Sequence, residues 1–93
     1  MSDKVYVLLD VTEWKTEQVV EKLRSIAGVR IVDLIEGNPN VIVLIEAPDR
    51  QTLAETTMQV ISSAENMIQD LKLLPVCNET EIKKTPEFSY AWS

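Results

Sequence analysis

The stretch Val29–Glu46, VRIVDLIEGNPNVIVLIE, decides how the chain folds. Val29 to Glu36 is dense in β-branched and apolar residues and reads as a strand, as does Val41 to Glu46. Between them Gly37, Asn38, Pro39 and Asn40 form a turn, where glycine tolerates positive φ, proline fixes its own and asparagine bonds locally. In the second of these strands Val41, Val43 and Ile45 alternate with Ile42 and Leu44, so both of its faces are apolar. A hairpin of this kind needs cover from two sides.

Outward from the hairpin the pattern alternates between periods of two and of 3.6. Lys4 to Val11 (KVYVLLDV) is a strand, with Val5, Val7, Leu9 and Val11 on one face and Tyr6, Leu8 and Asp10 on the other. After the turn at Thr12–Lys15, a helix carries the stripe Val19, Val20, Leu23, Ile26 and Ala27, with Thr16 read as N-cap and Gly28 as C-cap. Asp49 reads as the N-cap of a second helix, whose stripe is Leu53, Thr57, Val60, Ile61, Ala64 and Met67. Ile68 to Val76 is a last strand. The order β-α-β-β-α-β with short loops predicts an α+β fold, the ferredoxin-like plait, in which both helices cover one face of an antiparallel sheet. Residues 1–76 form this domain and residues 77–93 a tail.

If the helices cover one face, the other should be polar in an isolated protomer. Tyr6, Leu8, Ile42 and Leu44 make it apolar instead, a patch larger than monomers leave exposed. Burying several hundred Å2 of it at roughly 25 cal/mol per Å2 contributes several kcal/mol to so short a chain. The expectation is a homodimer through the sheets, a dimeric α/β barrel. The tail offers the other cover: Phe88, Tyr90 and Trp92 are spaced by two, which on a strand aligns three rings as a clasp on a neighbour or on the same chain.

Composition narrows the functions. Among 93 residues there are 15 acidic against 9 basic side chains and no histidine, a net charge of −6. That balance repels phosphate backbones, so no direct nucleic-acid partner is expected. Without histidine the commonest general base and metal ligand are missing, and Ser62 and Ser63 have nothing to activate them. Two glycines, Gly28 and Gly37, cannot build a phosphate-cradling loop. Asp10, Asp33, Glu36 and Glu46 lie on or near strands and read as solvated acids, and no catalytic residue, metal site or cofactor is expected. Trp14 sits off the helical stripe, a contact surface or a packed cap. One cysteine, Cys77, fits a reducing compartment, and the short apolar runs predict no membrane span and no signal peptide, so the expected location is the cytoplasm.

From Tyr6 to Leu53 the sequence YVLLDVTEWKTEQVVEKLRSIAGVRIVDLIEGNPNVIVLIEAPDRQTL resembles the ligand-binding domain of the leucine-responsive/asparagine-C (Lrp/AsnC) transcription regulators. The carriers are the opening strand, IAGV at Ile26–Val29, the glycine turn, and IEAPD at Ile45–Asp49, and the likeness covers residues 4–76. The resemblance implies domains that pair through their sheets, associate further into rings, and bind an amino acid or related metabolite at the turn, here Gly37, Asn38, Pro39 and Asn40. In the family a glycine is followed three residues later by aspartate; Asn40 stands there and lacks the charge that attracts an ammonium group. The family's helix-turn-helix module is not seen before the plait, so the expectation is a stand-alone, non-enzymatic module that pairs with itself or joins full-length regulators in mixed assemblies.

Two other classes share the plait. Dimeric barrels of this size host monooxygenases and isomerases, an argument from fold alone. The segment VIVLIEAPDRQTL (Val41–Leu53) also resembles the chaperone that recognises the signal peptide of periplasmic nitrate reductase. The glycine-to-EA spacing fits the regulators better.

Overall fold

A computed structural model describes residues 2–76. The elements are β1 (Asp3–Val11), a 3-10 turn (Glu13–Lys15), α1 (Thr16–Arg24), β2 (Val29–Leu34), β3 (Val41–Ala47), α2 (Arg50–Ala64) and β4 (Ile68–Pro75). The four strands make one antiparallel sheet in the order β2-β3-β1-β4, so the chain has the ferredoxin-like α+β fold expected of it. The tail with Phe88, Tyr90 and Trp92 lies outside the described residues.

The alternation in β1 and β3 places the core. Val5, Val7, Leu9 and Val11 pair beside Val41, Val43 and Ile45, and all seven are buried beneath the helices. From above, Val19, Val20 and Leu23 of α1 and Val60 and Ala64 of α2 close on them. The helical side of the sheet is thus a continuous apolar layer, built from β-branched residues that suit a pleated surface.

Several ends differ from the sequence reading: β2 stops at Leu34, short of Glu36, α2 stops at Ala64, short of Met67, and both ends of α1 shift. The 3-10 turn runs straight into α1, so the residue at its N-cap is Lys15, and the Thr16 hydroxyl donates back to Glu13 O at 3.2 Å. The helix stops at Arg24, which leaves Ala27 exposed in the turn that follows. That turn ends on Gly28 at φ +96°, where an added Cβ would also stand 3.2 Å from Thr56 Cγ2. Asp49 caps α2 as expected, its carboxylate accepting from Thr52 N at 2.7 Å.

Among the described residues nothing covers the far face of the sheet. Its side chains stand in rows across the strands: Leu74, Tyr6, Leu44 and Ile31 in one, and Lys72, Leu8, Ile42 and Asp33 in the next. Tyr6 and Ile31 remain 39% and 43% exposed, and Leu8, Ile42, Leu44 and Leu74 are half-buried by one another. At one end of the face Glu46 accepts from Ser2 Oγ at 2.6 Å and from Arg30 Nε at 3.1 Å. The Ser2 hydroxyl first, then the charges of Lys4 and Arg30, hold the Glu46 carboxyl below its ordinary range. On the outer edge of β2 the Arg24 guanidinium donates to Val32 O at 3.4 Å, covering a carbonyl that has no neighbouring strand.

Two measurements check this account. Leu23→Ala, at a fully buried position, is expected to cost about 2–5 kcal/mol in urea denaturation, a large share of a small domain's stability. The Thr52 amide lowers the pKa of Asp49 in the folded state, so the cap's contribution is present above the unfolded value and is lost as pH falls through the lower folded value. Asp49→Asn, which still accepts the cap bond, should show a shallower loss of stability than the wild-type chain across that acid window.

Candidate functional site

At one end of the sheet β1 and β2 finish and β3 and β4 begin, so the β1–α1 loop and the β2–β3 turn stand side by side. Between them opens a cleft of about 720 Å3. Asp10, Glu13 and Glu36 contribute carboxylates to its lining, no lysine or arginine does, and the Trp14 indole stands beside them 82% exposed. The turn residues Gly37, Asn38 and Asn40 form the opposing wall.

The turn is held by a specific device. Asn40 extends the β1–β3 ladder with its side chain: Oδ1 accepts from Val11 N at 2.8 Å and Nδ2 donates to Val11 O at 2.8 Å. Its backbone N donates to Leu9 O at 3.0 Å and its O accepts from Ile35 N at 2.9 Å. A carboxamide carries one donor and one acceptor side by side and can mimic a peptide group in this way; a carboxylate has no donor to offer Val11 O. Asn40 therefore shapes the wall, with its amide turned inward to β1.

The other turn residues divide the remaining work. Gly37 has φ +101° with nothing within 4 Å of an added Cβ, so the backbone conformation alone calls for glycine. With its amide nitrogen toward the carboxylate, Asn38 donates to Asp10 Oδ1 at 3.1 Å and to Gly37 O at 3.1 Å, tying the turn to β1 beside the cleft that Asp10 lines. Pro39 lies on the other side of that carboxylate, lining a recess of about 100 Å3 with Asp10, Asp70 and Lys72.

All four turn residues named from the sequence thus lie together, Gly37, Asn38 and Asn40 on the cleft and Pro39 behind it. Sequence reasoning missed the carboxylates of Asp10 and Glu13 as part of the same site. The signal for them was topological, since a plait brings the end of its first strand against the turn between its second and third. Tyr6, Leu8, Ile42 and Leu44 stand in register on the open face, where the pairing adds Ile31 and Leu74 to them. Among the described residues no cluster of three metal-ligating side chains occurs, and no helix is long and apolar enough to cross a membrane.

Solved structures resemble this arrangement. PH0061 superposes with a TM-score of 0.71 at 18% identity, covering 83% of this chain, which spans about half (53%) of that one. A hypothetical protein from Pyrococcus horikoshii, PHS023, matches with a TM-score of 0.72 at 22% identity over 85% of this chain and 93% of its own. The Escherichia coli Tat proofreading chaperone NapD matches with a TM-score of 0.59 at 18% identity over 85% and 79%. What they share is the fold. Lrp/AsnC-like proteins are among these neighbours, PH0061 included, so the resemblance read from the sequence holds for the architecture. No family model matches the sequence, and no curated protein does either.

Asn40→Ala tests the turn: it leaves the Val11 N–H and C=O unpaired in a part-buried place and should cost about 1–3 kcal/mol. Asn40→Asp, which restores the residue of the regulators' motif, should also destabilise rather than improve the site, because it sets a carboxylate against Val11 O. Urea denaturation of both variants reads the difference.

Proposed function

We propose that this chain is a self-associating, non-catalytic binding module for a small amine-bearing metabolite, an amino acid or a relative of one. The observation that carries the reading is the cleft at the Gly37–Asn40 turn, roomy enough for such a molecule and lined by acids without a balancing base. An ammonium group would find there what Asn40 does not provide: the carboxylate of Asp10, with Glu13 and Glu36 nearby and the Trp14 ring for a cation–π contact. Asn38 and the turn's backbone would hydrogen-bond the rest of the ligand.

The apolar open face supports the second half of the reading, a homodimer formed sheet on sheet, with association into larger rings and with full-length regulators as further steps. A ligand that binds one assembly better than another shifts the balance between them by its differential affinity. Pairing and metabolite sensing both suit the cytoplasm, where we place the protein.

The test is titration of the full chain with the common amino acids, read by calorimetry and by the emission of Trp14 in a Trp92→Phe background. At a ligand concentration about a hundred times Kd the unfolding free energy should rise by about 2.7 kcal/mol. Asp10→Asn should weaken binding at least about tenfold, the scale of a lost charge-assisted hydrogen bond. Absence of any heat or emission change up to millimolar concentrations overturns the reading.

A further inference from the structure

The open face carries a charge pattern that its greasiness alone leaves unused. Lys72 lies on the edge strand β4 and Asp33 on the opposite edge strand β2, in the same row as Leu8 and Ile42. Both are exposed, and among the described residues neither is ion-paired. Three strand spacings, about 14 Å, separate them within a protomer, too far for them to meet. At the other end of the face Lys4 stands opposite Glu46.

Two copies packed face to face can be related by a two-fold axis that runs either across the strands or along them. An axis across the strands, placed midway between these two rows, exchanges them, which sets Lys72 against Leu74 and Asp33 against Ile31 and buries charge on hydrocarbon. An axis along the strands keeps the rows and exchanges the edges. Leu74 then meets the partner's Ile31, Tyr6 the partner's Leu44, and Leu8 the partner's Ile42. Lys72 meets the partner's Asp33, and Lys4 the partner's Glu46. In these rows every apolar side chain faces an apolar one, and Lys72 and Lys4 each face an acid; Asp10 and Asp70 continue the face in the row beyond and meet no base there.

We propose that a second copy of this chain docks on the open face about the two-fold axis parallel to the strands, its register set by Lys72 of each protomer paired with the partner's Asp33. The proposal rests on the self-association reading and adds to it the operator and the residues that select the partner. An extended lysine facing an aspartate spans the roughly 10 Å between packed sheets. Charges at the rim govern register and choice of partner more than affinity, so a related plait with like charges at these two positions would be refused.

Charge reversal decides it, using the full chain in sedimentation equilibrium at low salt. Lys72→Glu alone and Asp33→Lys alone should each raise the dimer Kd by at least about tenfold, since each sets like charges against one another twice per dimer. An equimolar mixture of the two variants should recover dimers, seen as the mixed species in native mass spectrometry, and the double variant Lys72→Glu/Asp33→Lys should dimerise as the wild type does. Both positions are exposed, and circular dichroism verifies that the variants fold. Single variants that pair as tightly as the wild type, or a mixture showing no preference for the mixed dimer, overturn the proposed register while leaving self-association standing. A wild-type chain that stays monomeric at every concentration overturns both.

Discussion

The antiparallel pairing of β1 with β3 at the centre of the sheet is the constraint on which the rest depends. From Asp3 opposite Ala47 to Leu9 opposite Val41, seven residue pairs run without a break. Because side chains alternate across a strand, this register sends Val5, Val7, Leu9, Val41, Val43 and Ile45 to one side and Tyr6, Leu8, Ile42 and Leu44 to the other. A slip of one residue would exchange the two sets, and the helices would then close over Tyr6 and Glu46. The valine-rich set fits the close approach of α1 and α2; the larger set fits a second layer that the described residues do not supply.

The same pairing builds the cleft. Beyond Leu9 and Val41 the ladder would end, and the Asn40 side chain prolongs it by one more peptide-like unit against Val11. That unit fixes where the turn leaves the sheet, and through Asn38 the turn in turn holds one oxygen of Asp10. Asp10 and Asp70 are direct cross-strand neighbours, an arrangement of like charges that ordinarily weakens a sheet. Each has its own local donor, Asn38 for Asp10 and the Leu71 amide for Asp70. Backbone register, turn shape and the electrostatics of the cleft are therefore consequences of one pairing.

The elements were legible in the sequence because each carries a period that local composition states plainly: valines every second residue in β1 and β3, a 3.6-residue stripe in α1, an aspartate before α2. What depended on neighbours in space was not legible. Thr16 looks like a cap, but the 3-10 turn before it winds directly into α1. Ala27 continues the stripe on paper, yet the helix has already ended at Arg24. In the site, the Gly37–Asn40 turn was visible from its residue types, whereas Asp10 and Glu36 looked like solvated acids and Glu13 like an ordinary turn residue, because their place around that turn is set by topology. Asn40 was readable as a turn residue and as a departure from a familiar aspartate. Its bond to the Val11 backbone appears only once the register is known.

The guanidinium of Arg24 over the Val32 carbonyl has a bearing on the size any assembly can reach. A bare outer rim of β2 would invite another chain to add alongside, and that neighbour would invite the next, giving a ribbon with no natural stopping point. Face-to-face stacking about a two-fold axis would be self-limiting, because each copy covers the other's broad face. With a bulky cation resting on the rim, lateral growth is hindered while the broad surface stays available. One arginine thus weighs against open-ended growth along the outer side of β2.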